Sequence, residues 1–194
     1  MTFELKPKRV PKVFDQRIAQ EIYNLFSENS EKLRNFFALV ASCSPFLYSQ
    51  ILKEKSWLVN VVRDKDFNIL SLLGSLDSET YEALYLKLRI AKKRAALWIA
   101  LNDLADTWSL EAVTKNLSEF ADKAINLSWR ASFLKELKKG KFPEQYNGDP
   151  DKVGFFILAM GKLGAFELNY SSDIDLICFF DEEVFQPDEF QNVR

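Results

Sequence analysis

VGFFILAMGKLGAFELNYSSDIDLICFFD, residues 153–181, is two short apolar runs joined by a polar connection that carries glycine. Residues 155–160 and 174–180 are each short enough to be strands. Both are rich in aromatic and β-branched residues and flanked by Gly, Asn, Ser or Asp, which favours strand over buried helix. Their near-continuous apolar character predicts a sheet covered on both faces by helices. The second run opens with Ser172-Asp173-Ile174-Asp175. Alternation along a strand puts Asp173 and Asp175 on one face and Ile174 in the core. Two neighbouring carboxylates repel one another unless a cation lies between them, which is the geometry for holding magnesium through oxygen ligands.

Gly161-Lys162-Leu163-Gly164 follows the first run directly. Glycines there let the backbone approach a ligand and turn its N–H groups towards phosphate oxygens, and Lys162 adds a positive point charge. The spacing is not that of a P-loop, because Gly-x4-Gly-Lys-Ser/Thr is absent. Asp-x-Asp at a strand end is commonly a solvated turn, and Gly-x2-Gly alone carries little weight. Strand, glycine turn, polar segment, Ser-Asp-x-Asp and strand in that order carry more.

Gly161-Lys162-Leu163-Gly164 followed by Glu167-Leu168-Asn169-Tyr170-Ser171-Ser172-Asp173-Ile174-Asp175-Leu176 resembles the signature of the glutamine synthetase adenylyltransferase/adenylyl-removing family. That family belongs to the DNA polymerase β-like nucleotidyltransferase superfamily and carries two such domains. The Asn-Tyr-Ser-Ser form is more similar to the N-terminal, adenylyl-removing copy. The resemblance runs upstream through residues 100–106 and 88–94, covering roughly 40–181, and departs at Phe166, where the family often has a small or basic residue. It implies Mg2+ as cofactor, ATP or ADP as substrate or product, and glutamine synthetase and the PII nitrogen-signalling protein as partners. Asp173 and Asp175 become catalytic metal ligands, and Gly161, Lys162, Gly164, Ser171 and Ser172 contact the nucleotide. The family's third carboxylate comes from a later strand. Asp181 has the right parity but lies six residues beyond Asp175, about 20 Å along a strand at roughly 3.3 Å per residue. Glu182, Glu183, Asp188 and Glu189 could return only through a tight reversal, for which Pro187 is the sole signal.

Composition narrows the alternatives. At 194 residues, 47% hydrophobic and 28% charged, the chain is an ordinary globular one. A net charge of −2 gives no pull towards nucleic acid or acidic membrane, and no apolar run approaches the roughly 18 residues of a membrane span. Having no histidine excludes Ser-His-Asp and Cys-His catalysis and histidine metal sites. Cys43 and Cys178 lack metal-ligand spacing and read as reduced core residues of a cytoplasmic protein.

Residues 1–12, basic and proline-bearing, form a lead-in. Helical stripes follow: Phe14, Ile18, Ile22, Leu25 and Phe26; then Leu33, Phe36, Phe37 and Val40. Ser44-Pro45 starts a third helix with Phe46, Leu47 and Ile51 inward, and 57–62 and 67–76 suggest shorter ones. Asp77 or Ser78 can cap a long helix with Glu79 and Glu82 in its first turn and residues 95–101 apolar all round. Lys87, Arg89, Lys92, Lys93 and Arg94 in its middle form a solvated basic face or reach phosphates or an acidic partner. Ser109 begins a second long helix with Val113, Leu117, Phe120, Ala124, Leu127, Ala131 and Leu134 as its stripe and Gly140 as its stop. Residues 141–152 link it to the sheet.

The expected architecture is mainly α with a small α/β part. A helical bundle over 1–140 leads into a truncated polymerase β-like nucleotidyltransferase domain over 141–194. The expected function is removal of AMP from a tyrosine of glutamine synthetase, with its addition elsewhere in the family, in control of nitrogen assimilation. Without a third carboxylate, the 194 residues alone are expected to be inactive. The alternatives are a non-catalytic protein-binding module and another polymerase β-like transferase.

Overall fold

The computed structural model describes residues 12–74, 76, 80–140 and 149–184. Helices come first: α1 (Gln16–Leu25), α2 (Glu31–Cys43), α3 (Pro45–Lys53), α4 (Lys55–Val61), α5 (Ser71–Gly74), α6 (Tyr81–Leu104) and α7 (Leu110–Lys138). Strand β1 (Phe155–Ala159), the single turn α8 (Gly161–Gly164) and strand β2 (Leu176–Phe180) follow. Over the described residues the molecule is mainly helical with a small two-stranded sheet.

Helix starts follow local chemistry. The hydroxyls of Ser30, Ser44 and Ser109 accept from the backbone N–H groups of Leu33, Leu47 and Ala112, satisfying donors that a first turn leaves unpaired. Ser44-Pro45 is cap and first residue of α3, as expected. At α6 the cap is Thr80, accepting from Ala83 N–H. Asp77, Ser78 and Glu79 lie outside the described residues, as do 1–11 and 141–148.

The core is continuous from α1 to α7. Ala95, Leu97, Trp98, Ile99 and Leu101 are buried on α6, and Val113, Phe120, Leu127 and Ala131 face the same core from α7. Phe67 stands edge-on to both Trp57 and Trp98, at 5.9 and 5.4 Å between ring centres. Phe14 is 86% exposed and Phe46 56% exposed, so neither joins the stripe assigned to it. Phe14 precedes α1 and Phe46 lies on the solvent side of α3. Arg94 of the basic stretch bonds Glu54 at 2.7 Å, a structural use rather than a free phosphate ligand.

The strands pair antiparallel, Phe155 with Phe180 through Ala159 with Leu176. One face, carrying Phe155, Ile157 and Ala159, lies over α7; Trp129 stacks on Phe155 at 3.8 Å and 13°. The other face is open among the described residues: Phe156, Leu158, Ile177 and Phe179 are all exposed. The expectation of helices on both faces is therefore not met, because α7 passes beneath one side of a ribbon only two strands wide. Regular pairing also begins later than expected. The chain leaves β1 for α8 after Met160, so residues 173 and 174 have no strand opposite them, and Ile174 is 46% exposed rather than in the core. Cys43 and Cys178 are free but exposed. Cys43 ends α2 with its thiol on the Lys12 carbonyl, and Cys178 lies on β2, where the covering of α7 thins out.

A two-stranded ribbon is marginal by itself, whereas the helical core buries side chains from every long helix. Amide exchange should be slowest at residues 95–101 and markedly faster at 176–180. The reverse order would show that the ribbon is not the weaker unit.

Candidate active site

The connection from β1 depends on two glycines with different tasks. Gly161 takes φ +56, a left-handed conformation that costs glycine nothing. A Cβ on Gly161 would stand 3.7 Å from Asp175 Oδ2, so the glycine turn and the second carboxylate adjoin. Gly164 has ordinary φ but no space: a Cβ there would be 2.4 Å from the Ala159 carbonyl oxygen. The close return of α8 over the end of β1 requires its absence.

Beyond α8 the chain turns at Phe166, at φ +60, and Glu167 N–H closes the turn on the Lys162 carbonyl at 2.8 Å. A left-handed position suits a small residue better than a phenylalanine, which gives the departure at Phe166 a conformational meaning. Leu168 then buries against Ala121 and Leu163, and its N–H bonds the buried Ser118 hydroxyl at 3.3 Å.

Residues 169–172 fold around one side chain. Asn169 Oδ1 accepts from Ser171 N–H at 3.1 Å and from the Ser172 hydroxyl at 2.7 Å, with the Ser171 hydroxyl at 3.4 Å. Both serines that were expected at a nucleotide thus first serve the turn. The Tyr170 hydroxyl donates to Asp103 Oδ2 at 3.1 Å. Burial, the Asp103 charge and that hydrogen bond together raise the phenol well above its ordinary pKa.

Asp173 and Asp175 follow, both exposed. Met160 N–H bonds the Asp175 carbonyl at 2.9 Å, continuing the ladder by one step, so parity puts the Asp175 side chain on the open sheet face with Ile177 and Phe179. Among the described residues neither carboxylate has a hydrogen-bond or ion-pair partner, and no three acidic or cysteine side chains form a metal-sized cluster. Two exposed carboxylates two residues apart, with Asp175 beside the space left by Gly161, are the oxygen donors of part of a magnesium shell, which water and phosphate oxygens ordinarily complete. Lys162 is exposed one residue from Gly161. Asp181 lies at the far end of β2, its N–H on the Gly154 carbonyl at 2.8 Å, away from Asp175. Glu183 caps back onto Asp181 there. The side chain of Glu182, with Asp188 and Glu189, lies outside the described residues. On the opposite sheet face a groove of about 260 Å³ separates α7 from the strands, lined by Asp122, Trp129, Ile157 and Leu176 among others.

Sequence reasoning missed Asp103 and Ser118 as neighbours of this loop. Asp103 fell inside a stretch used for the resemblance, but nothing in the sequence pairs it with Tyr170.

Comparison with known proteins agrees with the motif. The family model for glutamate-ammonia ligase adenylyltransferase matches residues 35–192. A bifunctional glutamine synthetase adenylyltransferase/adenylyl-removing enzyme from Bradyrhizobium sp. strain BTAi1 is 35% identical over 158 residues, 78% of this chain and 16% of the relative. Proteins of the same name from Bradyrhizobium sp. strain ORS 278 and Bartonella quintana are 32% and 31% identical, covering 90% and 84% of this chain and 19% and 18% of theirs. The chain thus spans less than a fifth of the length of these curated relatives. No solved structure matches it.

Gly164→Ala tests the close return of α8. The methyl group meets a backbone carbonyl that cannot swing aside, so overpacking should cost about 1–3 kcal/mol. At about 2–4 °C per kcal/mol for a chain of this size, the thermal midpoint should fall by several degrees. An unchanged midpoint would show that α8 shifts freely.

Proposed function

The chain belongs to the glutamate-ammonia ligase adenylyltransferase family, and from that premise we propose that residues 153–181 form part of a site that removes AMP from a tyrosine of glutamine synthetase. The observation that carries this reading is the meeting of Gly161 with the Asp175 carboxylate at the end of the ribbon. It brings a phosphate-tolerant turn to the second of two carboxylates suited to a metal.

The reaction is phosphorolysis. A phosphate oxygen attacks the phosphorus of the tyrosyl-AMP diester, the bond from phosphorus to the phenolic oxygen breaks, the phenol recovers a proton, and ADP leaves. Asp173 and Asp175 hold magnesium, which when bound offsets the negative charge of the reacting phosphates. Lys162 supplies a further positive charge, and the backbone around Gly161 and Gly164, with Ser171 and Ser172, approaches the nucleotide. No side-chain base is needed, because phosphate already presents an anionic oxygen. The absence of histidine is compatible with that chemistry.

The finer assignments belong to the same proposal. Residues 1–140 are the helical region and 141–194 begin a polymerase β-like nucleotidyltransferase domain. Glutamine synthetase is the substrate protein and PII the regulatory partner, in the cytoplasm and without nucleic acid. The modest net charge supports the last point, and no described helix is long and apolar enough to cross a membrane.

Manganese titration by calorimetry should show weak binding that nucleotide strengthens and that Asp173→Asn/Asp175→Asn abolishes. Equal binding by both proteins would sink the metal assignment.

Turnover gives a second expectation. In adenylylated glutamine synthetase supplied with phosphate and magnesium, residues 1–194 alone should release ADP at least about a hundredfold more slowly than the full-length Bradyrhizobium relative. That is the loss ordinarily seen when one preorganised electrostatic group is missing. Rates within tenfold of each other would mean that these residues already hold the complete ligand set.

A further inference from the structure

We propose that Asp103, in the last turn of α6, positions the carboxylate loop by accepting the hydroxyl of Tyr170. This rests on the reading that Asp173 and Asp175 hold a divalent cation, and it adds what keeps those carboxylates in place.

The loop is fixed firmly at Leu168, by burial against α7 and by the Ser118 hydrogen bond. It is next fixed at Asp175, whose carbonyl accepts from Met160 N–H. Between these points the hydrogen bonds of Asn169, Ser171 and Ser172 are all internal to the turn. They give the turn its shape without setting its orientation against the helices. Among the described residues, the hydrogen bond that leaves the turn is the one from Tyr170 to Asp103, 67 residues away and 3.1 Å long.

The receiving end is rigid. Asn102, beside Asp103, is 4% exposed; its Nδ2 donates to the Trp98 carbonyl at 2.9 Å and its Oδ1 accepts from the Thr107 hydroxyl at 2.7 Å. Those bonds close the end of α6 on itself, and burial of Leu101 and Ala105 on either side sets that turn in the core, so a group bonded to Asp103 is referenced to the whole bundle. A carboxylate in this turn faces the negative end of the helix dipole, so helix stability does not account for it. A phenol donating to it does.

The role is one of positioning, because Asp103 forms no metal-sized cluster with Asp173 and Asp175 among the described residues and acts on the loop through Tyr170. Loss of the bond lets the turn swing between Leu168 and Asp175, carrying Asp173 away from Asp175. Metal affinity should then fall about three- to tenfold, the range that one net hydrogen bond supplies.

Two measurements on the 194-residue chain test this: manganese affinity, and amide exchange at residues 171–175 without metal. Tyr170→Phe and Asp103→Ala should each speed exchange there and weaken manganese by that factor. The double variant should be no weaker than either single one, and Asp103→Asn, which keeps an acceptor, should stay near wild type. Residues 95–101 should exchange as before, showing that the bundle is intact. Unchanged exchange at 171–175 in Tyr170→Phe overturns the proposal, as does unchanged affinity where wild type binds manganese. If wild type binds no better than Asp173→Asn/Asp175→Asn, the metal reading fails. Exchange alone then decides whether Asp103 orients the loop.

Discussion

Burial of the stripe Leu117, Ala121, Ile125, Trp129, Phe133 and Leu137 on α7 ties the strand pair to the helical bundle. These residues recur every fourth position, so the stripe advances about 40° round the helix per step and follows a strand laid across it. Its members divide between two small clusters. Ala121 and Ile125 receive Leu163, Leu168 and Ala159; Trp129, Phe133 and Leu137 receive Val153, Phe180 and Val184. β1 therefore runs back along α7, with Phe155 on Trp129 and Ala159 near Ala121. Because the other stripe of α7 faces α6, one helix sets both the core and the position of the ribbon. The carboxylates stand where they do as a consequence.

That double use of α7 also shows what was legible in the sequence. The stripe facing α6 is visible at alternating steps of four and three, the usual signature of a buried helix face, from Val113 to Ala131; Leu134, the next step, packs with the ribbon instead. The second was present as an equally regular step of four, yet it overlaps the first at Leu117 and shares its polar neighbours. It became meaningful only once a ribbon was known to need a floor. Where the signal was local, it held: Ser44-Pro45 and Ser109 start helices, and Gly140 ends one at φ +72. Where burial depended on a distant partner, local pattern misled. Residues 174–180 are apolar enough for a doubly covered strand, but their exposure is set by how far α7 reaches beneath β2. Cys178 is exposed for that reason, and Ile174 because no strand lies opposite it.

The order of the motif was legible in the same way, and its geometry was not. Gly161 and Gly164 look equivalent in the sequence, yet one is required by a left-handed φ and the other by a backbone oxygen 2.4 Å from where a methyl group would stand. Ser171 and Ser172 looked like ligand contacts. Their hydroxyls are first committed to Asn169, which is the ordinary use of Asn and Ser in tight turns.

Charge explains why this turn needs so much holding. Asp173 and Asp175 carry like charges two residues apart, and repulsion between them favours any motion that separates them. Neither is compensated by a described cation, and Lys162 remains exposed to solvent. A chain that must keep two uncompensated carboxylates together cannot rely on them to order it. The order has to come from contacts that place no positive charge beside them. Leu168 supplies it by burial and Ser118 by hydrogen bonding, Asn169 by closing the turn, and Met160 by extending the ladder to Asp175. Each works without drawing a positive side chain onto the carboxylates, which leaves their oxygens open to a cation. An arginine in the same place would order the loop and would occupy the carboxylates it ordered.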